Sequence, residues 1–565
     1  MSESPGFLSQ PRHQLGVFLL LLGLALGPIL PRLSRFHGDE CLYTDAAIRM
    51  VQTGDYWTPR YPDGSVRFLK PILSYWTLAA SYHLLGISYF SSRLPFLLAA
   101  GAIVGLTYRL ALRLPGGPPA ALLAALIIGS NTQFFALALR STPDALLCLF
   151  VLMSLLGFAR LLFAADRSFA AFFLAYGGAG LAVQTKGLLG LCPVGFAFLF
   201  AAVSGLPSAR PRDLIEGRAI GIGMAIALFW YVVVFVQHGR PVLAQFFSDQ
   251  VTAKVAFNPL SCLSNFGVYL LAVLRHFLPW TALLLAGMIV CRPAVAGYFC
   301  QWRRESLFLA GWFLLLAVLF SFGNARRTRY LAAAYPLLAI LLAGALTRCL
   351  EVERFQKVFS ALLHGLVPVL AALGLFLGFE ALRLDPRLAL GAGILLATAL
   401  GLHLVARKRL ASLSSLALAG LCVVVFGIVE NLWRPLLSVV PATGLTARLR
   451  ELNPPGGRVY AWNPVSSYPN QIRVLSGGRL QVDVLETLPG VLPPAPPGPI
   501  LLSASQRSEW THARTVFEAA GSATGRWSGK DLMALLFGPD PATLLARHRT
   551  PFYIGTTPNR PGEER

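Results

Sequence analysis

Charge is what this chain has least of: only 13% of its 565 residues are Asp, Glu, Lys or Arg. A soluble globular chain carries about 25%, so a water-exposed globule is excluded. The eight cysteines are scattered, with no CxxC and no zinc spacing. Most fall inside apolar runs, where a thiol is a small core side chain. The nine histidines form no HExxH and no other metal spacing. A phosphate-cradling P-loop is missing too, and with it the sequence signature of nucleotide binding. No strong internal repeat or low-complexity tract appears.

Apolar residues fill the space. They make up 55% of the chain, and mean hydropathy is +0.61. Repeated apolar runs of this kind read as helical membrane spans. Hydropathy places them near 15–33, 93–113, 119–139, 144–163, 169–185, 188–204, 218–237, 268–291, 306–322, 331–347, 359–379, 388–405 and 411–432, or about thirteen spans. The first has a basic start, but no small-residue cleavage site follows, so it reads as a retained anchor rather than a signal peptide. The Pro115-Gly116-Gly117-Pro118-Pro119 run marks a tight turn between spans.

Lys and Arg outnumber Asp and Glu 48 to 26, a net charge of +22. Such a balance can mean nucleic acid. Here most Arg residues sit in short loops between spans, so anchoring at the cytoplasmic face explains them and no nucleic-acid partner is expected. Alternate loops carry Arg109 and Arg113, Arg160 and Arg167, Arg210, Arg212 and Arg218, Arg292, Arg303 and Arg304, Arg348, Arg354 and Lys357, and Arg407 to Arg409. That side is assigned to the cytoplasm. The opposite side then holds the 34–92 loop, Asp144, Lys186, the 238–267 loop, the Gly323–Arg329 loop and everything after 433. Cys41 and Cys262 both fall there, which leaves a disulfide between them open.

Against this polarity, Arg326, Arg327 and Arg329 form a basic cluster on the side where Lys and Arg should be scarce, and Lys70, Lys186 and Lys254 join it. Cations at that depth suit an anionic ligand such as a lipid phosphate, whose oxygens Arg clamps with paired donors. They also suit charges that snorkel to water at span ends. Asp39 and Glu40 lie just past the first span, and Asp144 opens another on the same side. Ionisable groups at a membrane surface usually bind charge or do chemistry, although Pro143-Asp144 also suits an ordinary helix start. Carboxylates beside cations fit group transfer from a lipid phosphate. The cations stabilise the departing phosphate, and a carboxylate takes or orients the acceptor's proton or lies near the sugar carbon where positive charge grows. His37, two residues before Asp39, reads as an interface residue.

After residue 433 the composition changes. Proline is dense, and short β-rich runs appear at 458–462, 471–475, 480–484 and 500–502, with helical stretches near 506–519 and 531–537. A small α/β domain over 434–565 is expected. Trp462, Trp510 and Trp527 suit either a core or sugar stacking.

Several short elements occur in a telling order: Asp39-Glu40 with Tyr43; Gly54-Asp55-Tyr56-Trp57-Thr58-Pro59; Lys70-Pro71 with Tyr75-Trp76; Ser92-Arg93-Leu94-Pro95; Thr142-Pro143-Asp144-Ala145; Lys186-Gly187; and Arg329-Tyr330 with Tyr335-Pro336. Together they resemble the GT-C glycosyltransferases that use polyprenyl-phosphate sugars, in the branch holding the lipid A aminoarabinose transferase and protein O-mannosyltransferase-like enzymes. The likeness covers about the first 340 residues and, more loosely, the rest. It implies an all-α polytopic membrane protein of GT-C type, with about thirteen transmembrane helices and a small C-terminal α/β extracytoplasmic domain. The domains are expected at 1–433 (with 34–92 as the first periplasmic loop) and 434–565.

The implied activity is transfer of a sugar from an undecaprenyl-type phosphate to a lipid A or other envelope acceptor, lipid, glycan or protein. It takes place on the periplasmic face of a bacterial inner membrane, by a single displacement with inversion. The missing nucleotide motif agrees with a lipid-linked donor. The resemblance assigns Asp39 and Asp144 to catalysis, and Lys70, Arg329, Tyr330 and, on a looser alignment, Lys254 to the donor phosphate. The charge pattern adds Glu40 to the catalytic candidates and Lys186 and Arg326 to the phosphate ones, and Tyr43, Tyr75, Arg93 and Tyr335 of the shared elements are candidates for other donor or acceptor contacts. The aminoarabinose branch often has Phe-Glu-Lys-Pro where this chain has Phe68-Leu69-Lys70-Pro71. That Glu is associated with a metal site and Leu69 cannot ligate a cation, so no cofactor is certain, with a divalent metal as the alternative left open. A transporter or flippase of anionic lipid-linked sugars is the alternative, and a membrane sensor acting through its outer domain is a third.

Overall fold

The computed structural model describes residues 10–32, 38–61, 64–114, 116–206, 210–240, 259–323, 327–408, 411–437, 442–452, 454–462, 468–485, 498–509, 514–522, 535 and 549–556. Among the described residues, ten helices are long and apolar enough to cross a membrane, or twelve if each of two bent pairs counts as one span. The chain is a multi-pass membrane protein. Against the thirteen spans expected, the difference is the segment Phe169–Val203, which satisfies length and hydropathy as a single run. Its course shows why hydropathy divides it. Lys186 meets Asp144, while Gly205 accepts a hydrogen bond from Arg304 at 3.1 Å. Arg304 lies near the start of the 19-residue helix Arg303–Ser321, and that helix rises about 28 Å along its axis before the chain reaches Arg329. The run therefore turns at Gly187, whose φ of +75° suits glycine, and heads back.

Helices Asp144–Phe163 and Phe169–Lys186 are antiparallel neighbours joined by a short loop. Small residues bring them together, as they do between membrane helices generally. A Cβ at Gly157 would lie 2.3 Å from the Ala175 nitrogen, and one at Gly178 2.7 Å from the Ser154 nitrogen. Ser154 Oγ donates across the gap to Ala175 O at 2.7 Å. Because the pair is tightly packed and antiparallel, the first residue of one helix, Asp144, and the last of the other, Lys186, stand at the same level.

The two bent pairs break at 68° between Gly129 and Thr132 and at 91° between His276 and Trp280. The breaks touch, with the Trp280 indole donating to Ser130 Oγ at 2.9 Å. The end of the bundle that carries residues 38–86 is called the upper end below. Here the helix Gly38–Thr53 lies among Leu73–Leu85, the membrane helices and the C-terminal region, and shares one apolar core with all of them.

Among the described residues, the C-terminal region forms a five-stranded sheet in the order β2-β1-β3-β5-β4. Its strands are β1 (Arg458–Trp462), β2 (Gln481–Leu485), β3 (Ile500–Ser503), β4 (Arg514–Ser522) and β5 (Arg549–Thr556). Three strands fall where β-rich runs predict them. The run 471–475 instead lies in the helix Tyr468–Leu475. The reason is topological: β1 and β2 are parallel, so the chain between them must cross over rather than make a hairpin. The helix expected over 506–519 ends at Glu509, and β4 begins at Arg514 because β5 offers it an antiparallel partner. Trp462 is buried against Ile500 and Leu502 as a core residue. Trp510 and Trp527 lie outside the described residues, as does most of the helical stretch expected at 531–537.

Candidate active site

Asp39 sits in the first turn of the helix Gly38–Thr53, where a carboxylate is stabilised by the positive helix end. Its side chain is 35% exposed and paired with Arg329, whose own exposure is 15%. Arg327 stands 3.9 Å from the same oxygen. Arg329 also reaches toward Asp144, with Nε 4.0 Å from Oδ2, and this Nε has no hydrogen-bond partner. Asp144, in the first turn of its own helix, is held by Lys186 in an almost buried pair. Lys186 Nζ lies 4.5 Å above the Tyr330 ring, within range of cation–π attraction. Lys70 is half-buried and close enough to act electrostatically on Asp144. Among the described residues, two carboxylates thus face four cations, Lys70, Lys186, Arg327 and Arg329, at the upper end of the bundle. The surplus is positive, and Asp39 and Arg327 keep it open to the outside.

Tyr43 and Tyr75 pack against each other with ring centroids 5.4 Å apart. Arg67 lies 5.3 Å from the Tyr43 ring centre and 5.9 Å from that of Tyr75, and donates to the Tyr75 hydroxyl. Burial pushes the Tyr75 hydroxyl up to about 12 and the Tyr43 hydroxyl higher still. Both stay protonated at physiological pH, so neither can serve as a base.

Two expected site residues prove to be supports. Glu40 and Arg93 are both 0% exposed and form a two-pronged pair, at 2.9 and 3.2 Å. Ser141 donates to the same carboxylate at 3.0 Å, and Arg93 also donates to the carbonyls of Leu30 and Arg32. Consecutive helix residues point in different directions, so Asp39 faces the cations while Glu40 faces the bundle. Neither Glu40 nor Arg93 is placed to touch a substrate. Tyr335 is likewise a core residue: it is 1% exposed, its hydroxyl is bonded to His276 Nδ1 at 2.8 Å, and its ring packs on Phe277. Lys254, Arg326 and His37 lie outside the described residues. Cys41 and Cys262 are free thiols, not a disulfide.

The Glu40–Arg93 pair carries a stability prediction. Arg93→Met leaves a buried carboxylate without its cation, which costs about 3–5 kcal/mol. The purified protein should melt well below wild type in a thermal scan. The double neutral variant Glu40→Gln/Arg93→Met should recover much of that loss, and a double variant as unstable as the single would contradict it.

The motif around Asp55 is also scaffolding. Asp55 Oδ1 accepts from the amides of Trp57 and Thr58, both at 3.1 Å. The turn then offers its carbonyls to two indoles, Trp76 to Tyr56 O at 2.7 Å and Trp230 to Trp57 O at 3.0 Å. The first loop is thereby tied to the bundle beneath it. Arg67 was not singled out in the sequence. Its one signal is a second cation three residues before Lys70.

The donor set does not fit a divalent cation. Among the described residues no three His, Cys, Asp or Glu side chains gather, the carboxylates of Asp39 and Asp144 are taken by Arg329 and Lys186, and the Leu69 side chain has no oxygen to offer.

Comparison with known proteins agrees with this architecture. Residues 69–238 match the family of dolichyl-phosphate-mannose-protein mannosyltransferases. An uncharacterized protein of Aquifex aeolicus is 28% identical over 349 residues, covering 60% of this chain and 65% of its own length. The undecaprenyl phosphate-alpha-4-amino-4-deoxy-L-arabinose arabinosyl transferase of Serratia proteamaculans is 25% identical over 378 residues, 63% of this chain and 64% of its own. The chain thus spans just under two thirds of the length of these relatives. The crystal structures of ArnT from Cupriavidus metallidurans, apo and bound to undecaprenyl phosphate, superpose with TM-scores of 0.67 and 0.66 at 18% identity, over 96% of this chain and 97% of that one. At that identity the likeness is one of fold, and it runs nearly end to end. The matched segment and these relatives make the chain similar in sequence to transferases named for lipid-phosphate sugars, and similar in fold to ArnT.

Proposed function

We propose that this protein is an integral-membrane glycosyltransferase that takes a sugar from a polyprenyl phosphate and gives it to a lipid A-type or other envelope acceptor. The observation that carries the reading is the meeting of Asp39, Asp144, Lys186 and Arg329, which come from four separate stretches of chain, at the upper end of the bundle. The relatives' undecaprenyl-phosphate donor and the lipid bound to ArnT support the same donor class. The upper end faces the periplasm of a bacterial inner membrane, with residues 434–565 as a soluble domain on that side and 1–433 as the catalytic membrane domain.

In the reaction, the bond from the anomeric carbon to the phosphate oxygen breaks, and the oxygen leaves with the electron pair. Arg329, Lys186 and Lys70 stabilise the negative charge gathering on the phosphate. Arg329 suits this work because its fork donates to two oxygens at once, and its Nε stands unpartnered. The acceptor oxygen attacks from the opposite face and inverts the carbon. Where the acceptor is a hydroxyl, Asp39 takes its proton. Where it is a phosphate, already ionised, Asp39 orients it. Lys186 holds Asp144 beside Arg329, so the second carboxylate fixes the guanidinium's position.

The test is reconstitution in vesicles with a labelled polyprenyl-phosphate sugar and, in separate arms, lipid A, a glycan and a protein acceptor. Label should move covalently to one of them. A carrier of lipid-linked sugars is the second reading, favoured by the two bent spans that meet at Trp280 and Ser130, since broken helices are common in transporters. Label that crosses the vesicle wall without changing its covalent partner would establish that reading instead.

A further inference from the structure

The helix that presents Asp39 is gripped from above by the C-terminal sheet. Asp45 is 4% exposed and forms an ion pair with Arg473, itself nearly buried. Arg473 also donates to Val482 O in β2 at 3.2 Å, so the guanidinium is anchored in the sheet. Next to this pair, Asn470 donates to Thr44 Oγ1 at 2.9 Å, and Thr44 Oγ1 donates back to Glu40 O at 2.9 Å. A third contact lies further along the helix, where Gln52 donates to Gly478 O at 2.8 Å. Gly478 has a φ of +76°, and a Cβ there would meet Ile87 Cδ1 at 2.9 Å and Gln52 Nε2 at 3.1 Å. The ends of those two side chains can yield, so it is the left-handed backbone that favours glycine here, and a larger side chain would press on the first loop.

These contacts have a mechanical consequence. One face of the helix is fixed to the membrane bundle by Glu40–Arg93. Another is fixed to the sheet by Asp45–Arg473. Asp39 stands on the same rigid rod, six residues before Asp45 and one before Glu40. The rod's position along and about its axis is therefore set by these two buried pairs. A buried ion pair adds little net stability over a well-packed apolar contact, and registry is its best-attested use.

We infer that Asp45 and Arg473 are positioning residues: the C-terminal sheet acts as a clamp that registers Asp39 against Arg329. The inference rests on the transfer activity proposed above for its kinetic consequence, but not for its structural one. The clamp spans 428 residues of sequence and ties the soluble region directly to the catalytic geometry.

The test uses the full-length protein with the neutral pair Asp45→Asn/Arg473→Met, which strands no charge, and separately Gly478→Val, which wedges the same interface apart. Two quantities are read. Amide exchange over residues 38–53 should become about tenfold faster, as for a helix released from its packing. The kcat for transfer should fall about tenfold or more, since small misplacements remote from the chemistry are costly, while donor KM stays within about threefold. Arg473→Lys should restore part of the rate. Unchanged exchange and unchanged kcat in both variants would overturn the clamp, as would a fall in kcat matched by an equal rise in KM. Should the wild type transfer nothing, the proposed activity fails, and the exchange result still decides the clamp. Should the neutral pair fail to fold, Gly478→Val carries both readouts.

Discussion

Asp39→Asn should lower transfer by about 10³-fold, within the range a positioned acid or base contributes, while leaving the protein folded and able to bind donor. The argument is local. Asp39 is the carboxylate of the site that remains substantially exposed, at 35%, so it can meet an acceptor arriving from outside. Asparagine keeps its shape and still suits the first turn of a helix. What it loses is the negative charge and the ability to take a proton. Arg329 then loses its main anionic partner. With less competition from Asp39, the donor phosphate should bind as tightly as in the wild type or somewhat more so. The measurement is a pair of assays on one preparation, equilibrium binding of polyprenyl phosphate and single-turnover transfer. Weakened binding with a matching loss of rate would make Asp39 a donor-site residue rather than the acceptor's partner. A rate within about tenfold of wild type would remove it from the chemistry altogether.

The contrast between Asp39 and Glu40 shows what a sequence can tell and where it stops. In a chain with so few charges, every ionisable residue beside an apolar run stands out, because placing it there is costly. That makes Asp39, Asp144, Lys186 and Arg329 visible as separate points, and the charge of the loops leads one to expect them on one side of the membrane. Glu40 was equally visible but faces the other way. Its orientation depends on where the helix Gly38–Thr53 begins and what it packs against, and both are set by Arg93 and Ser141, remote in the chain. The same holds for Tyr335, whose place is taken up by His276 across a bent span.

Elements whose form depends on a partner were the least legible. The run 471–475 carries strand-like residues, yet becomes a helix because β1 and β2 are parallel. The strand β5 gave no signal strong enough to read, and its place follows from pairing with β3 and β4. The Asp45–Arg473 pair was invisible for the plainest reason: nothing in a linear chain joins an acid in the first loop to a base in the last domain. By contrast, hydropathy divided residues 169–203 at the point where the chain turns. A lysine between two apolar runs disfavours a single continuous crossing, and the glycine after it permits the turn.

Lys186→Met should reduce kcat/KM by about 10²–10³-fold, as loss of a cation aimed at developing phosphate charge does elsewhere. Two causes would contribute, and they can be separated. Asp144 is 7% exposed, so removing Lys186 leaves a nearly buried carboxylate short of its closest cation, at a cost of about 3–5 kcal/mol in stability. The double variant Asp144→Asn/Lys186→Met removes that charge as well, and its melting temperature should return toward wild type. Affinity for polyprenyl phosphate should not return with it, because no cation has been put back. A loss of about 10- to 100-fold in donor binding is expected to persist, the worth of one or two charge-assisted hydrogen bonds. Recovery of both stability and donor affinity in the double variant would make the pair a structural bridge between the helices Asp144–Phe163 and Phe169–Lys186. Recovery of stability alone assigns Lys186 to the phosphate, with Asp144 holding the lysine and Arg329 at the right spacing for it.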